Sequence, residues 1–258
     1  MNRNSNTYTF IYASILVVVV AATLATAALL LKGPQEKNIE IEKKLSILTS
    51  VGKDTGVNEA GSKNDFVESA YDKYIVDSFI VDGKGNEQEG NAFLVDMTEE
   101  YNKIKVIVAA TVDEKENLLT QLQLPVFVCK DDDGAMKYII PVRGLGLWGP
   151  VWGYLSLNDD FNTIFGAVFD HKGETPGLGA EISDKAFAHQ FIGKEIFTGE
   201  TLTSIKVMKG GAPKNDRHAV DAISGGTITS NGVNAMLKDC LAQYQAFFIK
   251  MKKQKTIE

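Results

Sequence analysis

Cysteine is scarce in this chain: there are two in 258 residues, Cys129 and Cys240. They are too few and too far apart for a disulfide scaffold or a cysteine-based zinc site. A single bridge between them stays open in an oxidising compartment. Histidine is nearly as sparse, and the three, His171, His189 and His218, show no ligand-like spacing, so no protein-bound metal is expected. A basic surface is missing too. With 27 Lys and Arg against 33 Asp and Glu, the net charge is −6. No cationic patch stands out to meet a phosphate backbone, which argues against nucleic acid as a partner. The dinucleotide-binding signature is absent as well: Gly144-x-Gly146 runs into Trp148 and Gly149, not into a helix start. No internal repeat and no nucleophile–base triad is found, so no catalytic residue is assigned.

Charge is also missing from one long stretch. Asn4 to Leu31 carries no charged residue, and from Phe10 onward it is almost wholly apolar. A helix over 9–31 would rise about 34 Å at ~1.5 Å per residue, enough to cross a hydrocarbon core of roughly 30 Å. The competing reading is a signal peptide cleaved at Ala25-Thr26-Ala27. Because the apolar run continues through Leu31 before Lys32, an uncleaved anchor is expected. Only Arg3 precedes the span, whereas Lys32, Lys37, Lys43 and Lys44 come after it. Taken literally, the positive-inside rule would leave the large domain in the cytoplasm. Glu36, Glu40 and Glu42 are interspersed, so the local count does not settle orientation.

Beyond the span the chain reads as one globular unit. The organisation expected is a tail over 1–8, a membrane span over 9–31, a juxtamembrane helix and linker over 32–65, and one domain over 66–258. Strands are expected over 74–81, 103–112, 126–130, 136–142, 162–170 and 204–208. Asp131-Asp132-Asp133-Gly134 reads as the hairpin turn between two of them. Helices are expected over 183–191 and 230–250. Adjacent strands with few intervening helices predict an α+β fold with a mainly antiparallel sheet. Cys129 falls in an apolar run, and Cys240 on a stripe with Val233, Met236, Tyr244 and Phe247, so both read as buried.

Three glycine-bearing segments carry the chemistry. The first is Asp221-Ala222-Ile223-Ser224-Gly225-Gly226-Thr227-Ile228-Thr229-Ser230, which leads into the last helix. Two glycines permit tight turns, the amides and helix start form a seat for phosphate, and Thr229 or Ser230 is placed to cap the helix. The second is His171-Lys172-Gly173-Glu174-Thr175-Pro176-Gly177-Leu178-Gly179-Ala180. Pro176-Gly177 favours a turn with positive φ, and Gly179 leaves space for a flat group that Leu178 could cover. The third, residues 143–153, holds both tryptophans, Trp148 and Trp152, either of which could pack an apolar ring or the core.

Together these segments resemble the FMN-binding domain of the NqrC family, the C subunits of the Na+-translocating NADH:quinone reductase. The G subunit of the Rnf electron-transport complex is a relative of that family. The run Leu31-Lys32-Gly33-Pro34-Gln35-Glu36-Lys37-Asn38 after the span looks like the start of an NqrC chain. Asp221-x-x-Ser224-Gly225-x-Thr227 is similar to the signal read by a flavin transferase, with Gly226 where the family usually has alanine.

The resemblance implies that Thr227 carries FMN through a phosphoester, with Asp221, Ser224 and Gly225 as recognition residues. It implies that Glu174, Thr175, Leu178 and Gly179 line the isoalloxazine, with Trp148 nearby. It also implies a single-pass subunit of the cytoplasmic membrane with its domain on the periplasmic side. Its partners would be the other subunits of the redox complex, membrane lipid and, during maturation, the FMN transferase. The alternatives are an Rnf-type subunit and, from another class, an anchored module that binds FMN without redox work.

Overall fold

A computed structural model describes residues 6–257, so most of the tail expected over 1–8, Arg3 included, lies outside the described residues. The chain divides into two units, Met1–Lys44 and Leu45–Glu258. The helix α1 (Asn6–Ser50) is long and apolar enough to cross a membrane. Its most apolar window has a mean hydropathy of 2.6, and none of that window is buried. Beyond that window the helix surface turns ionic, with Lys32–Glu36 and Lys44–Glu40 paired at i,i+4. Such exposed pairs contribute only a few tenths of a kcal/mol each.

The second unit is built on a six-stranded antiparallel sheet. Its early elements are α2 (Lys63–Tyr74), β1 (Ile75–Val81), β2 (Glu87–Gln88), α3 (Met97–Ala109) and α4 (Val112–Leu119). The chain then forms β3 (Leu124–Lys130), β4 (Met136–Leu145), β5 (Pro150–Asn158) and β6 (Ile164–His171). The sheet order is β2-β1-β3-β4-β5-β6, so the α+β reading with a mainly antiparallel sheet holds. After the sheet come α5 (Lys185–His189), the short strands β7 (Phe197–Thr198), β8 (Thr201–Leu202), β9 (Lys206–Met208) and β10 (Ala219–Asp221), and then α6 (Thr227–Ile257).

Both faces of the sheet are covered, which explains why β3 is apolar at successive positions instead of alternating. Leu124 and Val126 point into one core, shared with Val233, Leu237, Cys240, Tyr244 and Phe248 of α6. Phe127 and Cys129 point into a second core with Ile47, Val51, Ile139 and Tyr154. The two cysteines are therefore free, buried and on opposite faces of the sheet, which closes the question of a bridge between them. The Tyr244 hydroxyl donates to the Pro125 carbonyl at 2.9 Å and fixes α6 across the sheet.

The expected strand over 103–112 is a helix. Its β-branched residues mimic a strand, but Glu100, Ile104 and Ile107 are the buried positions, and their spacing is helical. Asp96 caps α3 by accepting from the Thr98 N–H at 2.7 Å, and Thr111 with Glu114 forms a capping box on α4. The helix expected over 183–191 is divided: Gly179–Ser183 is a 3-10 turn, and Asp184 separates it from α5. The acidic turn is a hairpin, closed by the Asp131 N–H donating to the Ala135 carbonyl at 2.8 Å with Gly134 at φ +86°. Asp132 accepts from Lys53, Lys73 and Tyr74, so its charge is matched by lysines.

Candidate functional site

Antiparallel pairing decides where the site forms. Leu145 at the end of β4 pairs with Pro150 at the start of β5, and Val151 pairs with His171 at the end of β6. The β4–β5 turn and the segment after β6 therefore leave the sheet at the same end. The start of α6 is pressed onto that end: a Cβ at Gly232 would strike the Leu145 carbonyl, and one at Gly144 would lie 2.7 Å from the Met236 Cβ. Three segments separated by up to about eighty residues are thereby gathered at one edge.

They converge on Glu174, which is 4% exposed. One carboxylate oxygen accepts from the Thr229 hydroxyl at 2.5 Å, and the other accepts from the Trp148 N–H at 2.8 Å. Burial by itself raises the pKa of this group. The Thr229 hydroxyl and the N–H groups of Trp148, Leu147 and Gly149 outweigh that effect and hold the carboxyl below its usual range. The Glu174 N–H donates to His171 Nδ1 at 3.1 Å, which makes that nitrogen an acceptor. Glu174 is thus an ionised internal staple between the β4–β5 turn, the 171–180 segment and the first turn of α6.

The first turn of α6 differs from its expected capping. The helix begins at Thr227, so Thr229 and Ser230 lie inside it and neither caps it. Ser230 accepts from the Ile223 N–H through its hydroxyl at 3.0 Å, and its N–H donates to the Gly226 carbonyl at 2.9 Å. Gly226, which has no side-chain oxygen, stands at the cap position. A helix leaves its first N–H groups without an internal partner, and here no side chain of the preceding residue takes them up. Gly225 has φ +74°, which a residue with a side chain rarely adopts.

Close packing, not empty space, surrounds the glycines. A Cβ at Gly225 would lie 2.5 Å from the Leu178 side chain, and one at Gly226 would lie 3.2 Å from the Gly179 backbone. At Gly179 a Cβ would collide with the Thr229 hydroxyl and sit 2.7 Å from Glu174 Oε2. The space expected there for a flat ligand is filled by the protein itself. Thr175, Leu178, Asp221, Ser224 and Gly225 are exposed, and Thr227 is half-buried. Asp221 accepts from the Ala212 N–H at 2.6 Å and donates its own N–H to Gln190 at 2.8 Å, which fixes the strand leading into the loop. Trp148 presents its indole outward at 69% exposure, with Leu145, Leu147, Leu178 and Ile228 also exposed. Exposed apolar side chains clustered at one end of a domain mark a surface that meets a ligand or partner. A cavity of about 610 Å3 lined by residues 202–208 and a polar stripe of α6 contains none of the expected flavin residues.

The family profile of the FMN-binding domain matches residues 146–242, which contain Trp148, Glu174 and the Thr227 turn. The C subunit of the Na+-translocating NADH-quinone reductase from Vibrio anguillarum is 33% identical over 90% of this chain and 89% of its own. Its counterpart from Vibrio alginolyticus is 34% identical over 84% of this chain and 82% of its own. The chain belongs to this NqrC family. The crystal structure of the C subunit from Parabacteroides distasonis superposes with a TM-score of 0.70 at 38% identity, covering 84% of this chain and 96% of that one. That of NqrC from Shewanella oneidensis gives 0.64 at 25% identity, covering 83% and 98%.

The residues fit the phosphate and apolar ring of FMN. The open start of α6, the glycine-permitted turn and half-buried Thr227 suit a phosphoryl group. The outward Trp148, Leu147 and Leu178 suit the ring. Sequence reasoning did not find the Thr229–Glu174 contact, and no sequence signal announces it.

Proposed function

We propose that this chain is an electron-carrying subunit of a membrane-bound Na+-translocating NADH:quinone oxidoreductase, with FMN joined to Thr227 by a phosphoester. The observation that carries the reading is the turn at Gly225–Gly226, which lies against exposed Leu178 and makes half-buried Thr227 the first residue of α6, after a cap residue with no side chain. When bound, the flavin supplies the redox chemistry, and the protein supplies position and electrostatics. Thr227 tethers the phosphate, so the carrier cannot be lost to an open compartment. Asp221, Ser224 and Gly225 shape the turn that a flavin transferase would read. Thr175, Leu178 and Trp148 border the ring, and Glu174 and Gly179 support them from behind. Membrane lipid surrounds residues 9–31, the domain over 66–258 stands on the periplasmic side of the cytoplasmic membrane, and the other subunits of the complex are its electron partners.

The test is mass spectrometry of the tryptic peptide 218–238, which holds Thr227 and Thr229, from protein produced with its transferase. FMN on Thr227 is the expected result, and an unmodified peptide or FMN on Thr229 refutes the assignment. Fluorescence of the denatured band in a gel is a quick companion measurement, because only a covalent flavin survives denaturation. An anchored module without redox work would carry flavin yet remain oxidised when the complex is supplied with NADH.

A further inference from the structure

Two hydroxyls compete for one flavin at the start of α6, and the geometry distinguishes them. Residues two apart on a helix point about 200° apart around its axis, so Thr227 and Thr229 cannot face the same way. Thr227 is half-buried, whereas Thr229 is 2% exposed and donates to Glu174 at 2.5 Å. The same carboxylate binds the Trp148 N–H at 2.8 Å, and Gly179 packs against Thr229 and Glu174. From this we infer that Glu174 is a positioning residue: it fixes the first turn of α6 through Thr229, withdraws that hydroxyl, and leaves Thr227 as the one presented for flavin attachment. This rests on the phosphoester reading of Thr227.

Ester formation needs an activated donor, because free phosphate does not condense with an alcohol in water. With a donor of the flavin dinucleotide class, Thr227 Oγ forms a bond to the flavin-side phosphorus as the anhydride P–O bond breaks. A nucleoside monophosphate leaves, the hydroxyl proton passes to a base of the transferase, and no electron is exchanged. A first turn that wavers presents Thr227 less often, so loss of the staple slows this step without touching the reacting atoms.

The experiment follows flavin on peptide 218–238 over time at limiting transferase, in full-length Glu174→Gln, Thr229→Val, Thr229→Ser and Thr227→Ala proteins. A glutamine has one acceptor oxygen: with that oxygen on the Trp148 N–H, its amide faces Thr229 and can only donate to it, so the charge-assisted bond from the Thr229 hydroxyl is lost. Glu174→Gln and Thr229→Val are each expected to label Thr227 at least about tenfold more slowly, the lower end of losing one hydrogen bond to a charged group. Thr229→Ser keeps the hydroxyl and is expected to label at the wild-type rate. Thr227→Ala is expected to carry no flavin on Thr229. The flavin potential gives a reading that a purely structural effect would not produce. Removing the negative charge in Glu174→Gln raises it, while Thr229→Val leaves the charge and the potential in place. Wild-type labelling rates in both Glu174→Gln and Thr229→Val, or FMN on Thr229 in Thr227→Ala, would overturn the inference. If Glu174→Gln does not fold, the contrast between Thr229→Val and Thr229→Ser decides. Wild-type protein without FMN on Thr227 would refute the functional reading instead, so the two failures are told apart.

Discussion

Replacing Gly179 with alanine puts a methyl group where the protein has no room. The new Cβ would collide with the Thr229 hydroxyl, approach the Thr229 Cβ to 3.0 Å and approach Glu174 Oε2 to 2.7 Å. Relief requires Thr229 or Glu174 to move, which breaks the hydrogen bond between them. Overpacking a well-filled site costs about 1–3 kcal/mol, and losing a hydrogen bond to an ionised carboxylate costs about 1.5–3 kcal/mol. The same displacement causes both, so they do not add in full, and a loss of roughly 3–4 kcal/mol is expected. For a domain of this size each kcal/mol lowers the melting temperature by about 2–4 °C, which gives a drop on the order of 10 °C. The assay is a circular-dichroism melt of the detergent-solubilised protein at neutral pH. Gly177→Ala is the control: its Cβ meets nothing within 4 Å, but its φ of +75° imposes strain. That strain costs about 1–2 kcal/mol. If Gly179→Ala melts no lower than Gly177→Ala, the packing argument is wrong and this glycine serves the ligand instead.

On the proposed attachment, Thr227→Ala removes the hydroxyl that holds the ester while leaving a good helix former at a half-buried position, so a cooperative melt near wild type with no covalent flavin is expected in spectra of the denatured protein. Gly226→Ala would place a Cβ 3.1 Å from Ile223 and 3.2 Å from the Gly179 backbone. Crowding there opposes a gain of about 0.4–1 kcal/mol from stiffening the unfolded chain, so a net change within about 1 kcal/mol is expected, and a urea midpoint shifted by the equivalent of more than about 2 kcal/mol would contradict it. Glu174 has a depressed pKa when folded, so its contribution is present above the ordinary glutamate value of 4.5 and is lost as pH falls through the folded value. Urea midpoints of wild type and Glu174→Gln should therefore converge on acidification, and parallel curves would rule this out. Residues 9–31 should keep the protein in the membrane pellet at alkaline pH, and recovery of a soluble domain starting near Ala28 would show a cleaved signal instead.

The fold is legible in the sequence wherever pattern and burial agree. The hairpin at Asp131–Gly134 announces itself by its acidic turn, and its strands fall where alternation and β-branched residues put them. The helix α3 reads as a strand because Ile104, Val106, Ile107 and Val108 favour one by type, whereas burial follows only Glu100, Ile104 and Ile107. Asp96 and the acidic first turn are the better signal, since a cap states where a helix begins regardless of the residues after it. The strand β5 is hidden by its own glycine and tryptophan, Gly153 and Trp152, which with Trp148 draw residues 143–153 into a ligand reading. Gly153 is needed there because a Cβ would collide with the Val168 carbonyl of the neighbouring strand.

The site is legible in its parts but not in its assembly. Each glycine segment signals a turn from local sequence, and the reading of Thr227 rests on the family resemblance of its motif. Glu174 is different. A glutamate in a Gly- and Pro-rich segment reads as a surface residue, and nothing nearby in sequence tells that its partners are 26 residues back and 55 residues on. Only the antiparallel order of β4, β5 and β6 brings the Trp148 turn beside it, and only the packing of α6 on β4 brings Thr229. The same assembly changes the meaning of the glycines: Gly226 makes room for the Gly179 backbone, Gly179 makes room for the Thr229 and Glu174 side chains, and those contacts seat the first turn of α6. A residue that binds the flavin directly would be recognisable by its exposure at this edge, as Trp148 and Leu178 are. One that orders the residues around it is recognisable by burial with its side-chain polar atoms engaged, and Glu174, with both carboxylate oxygens bonded, is that case.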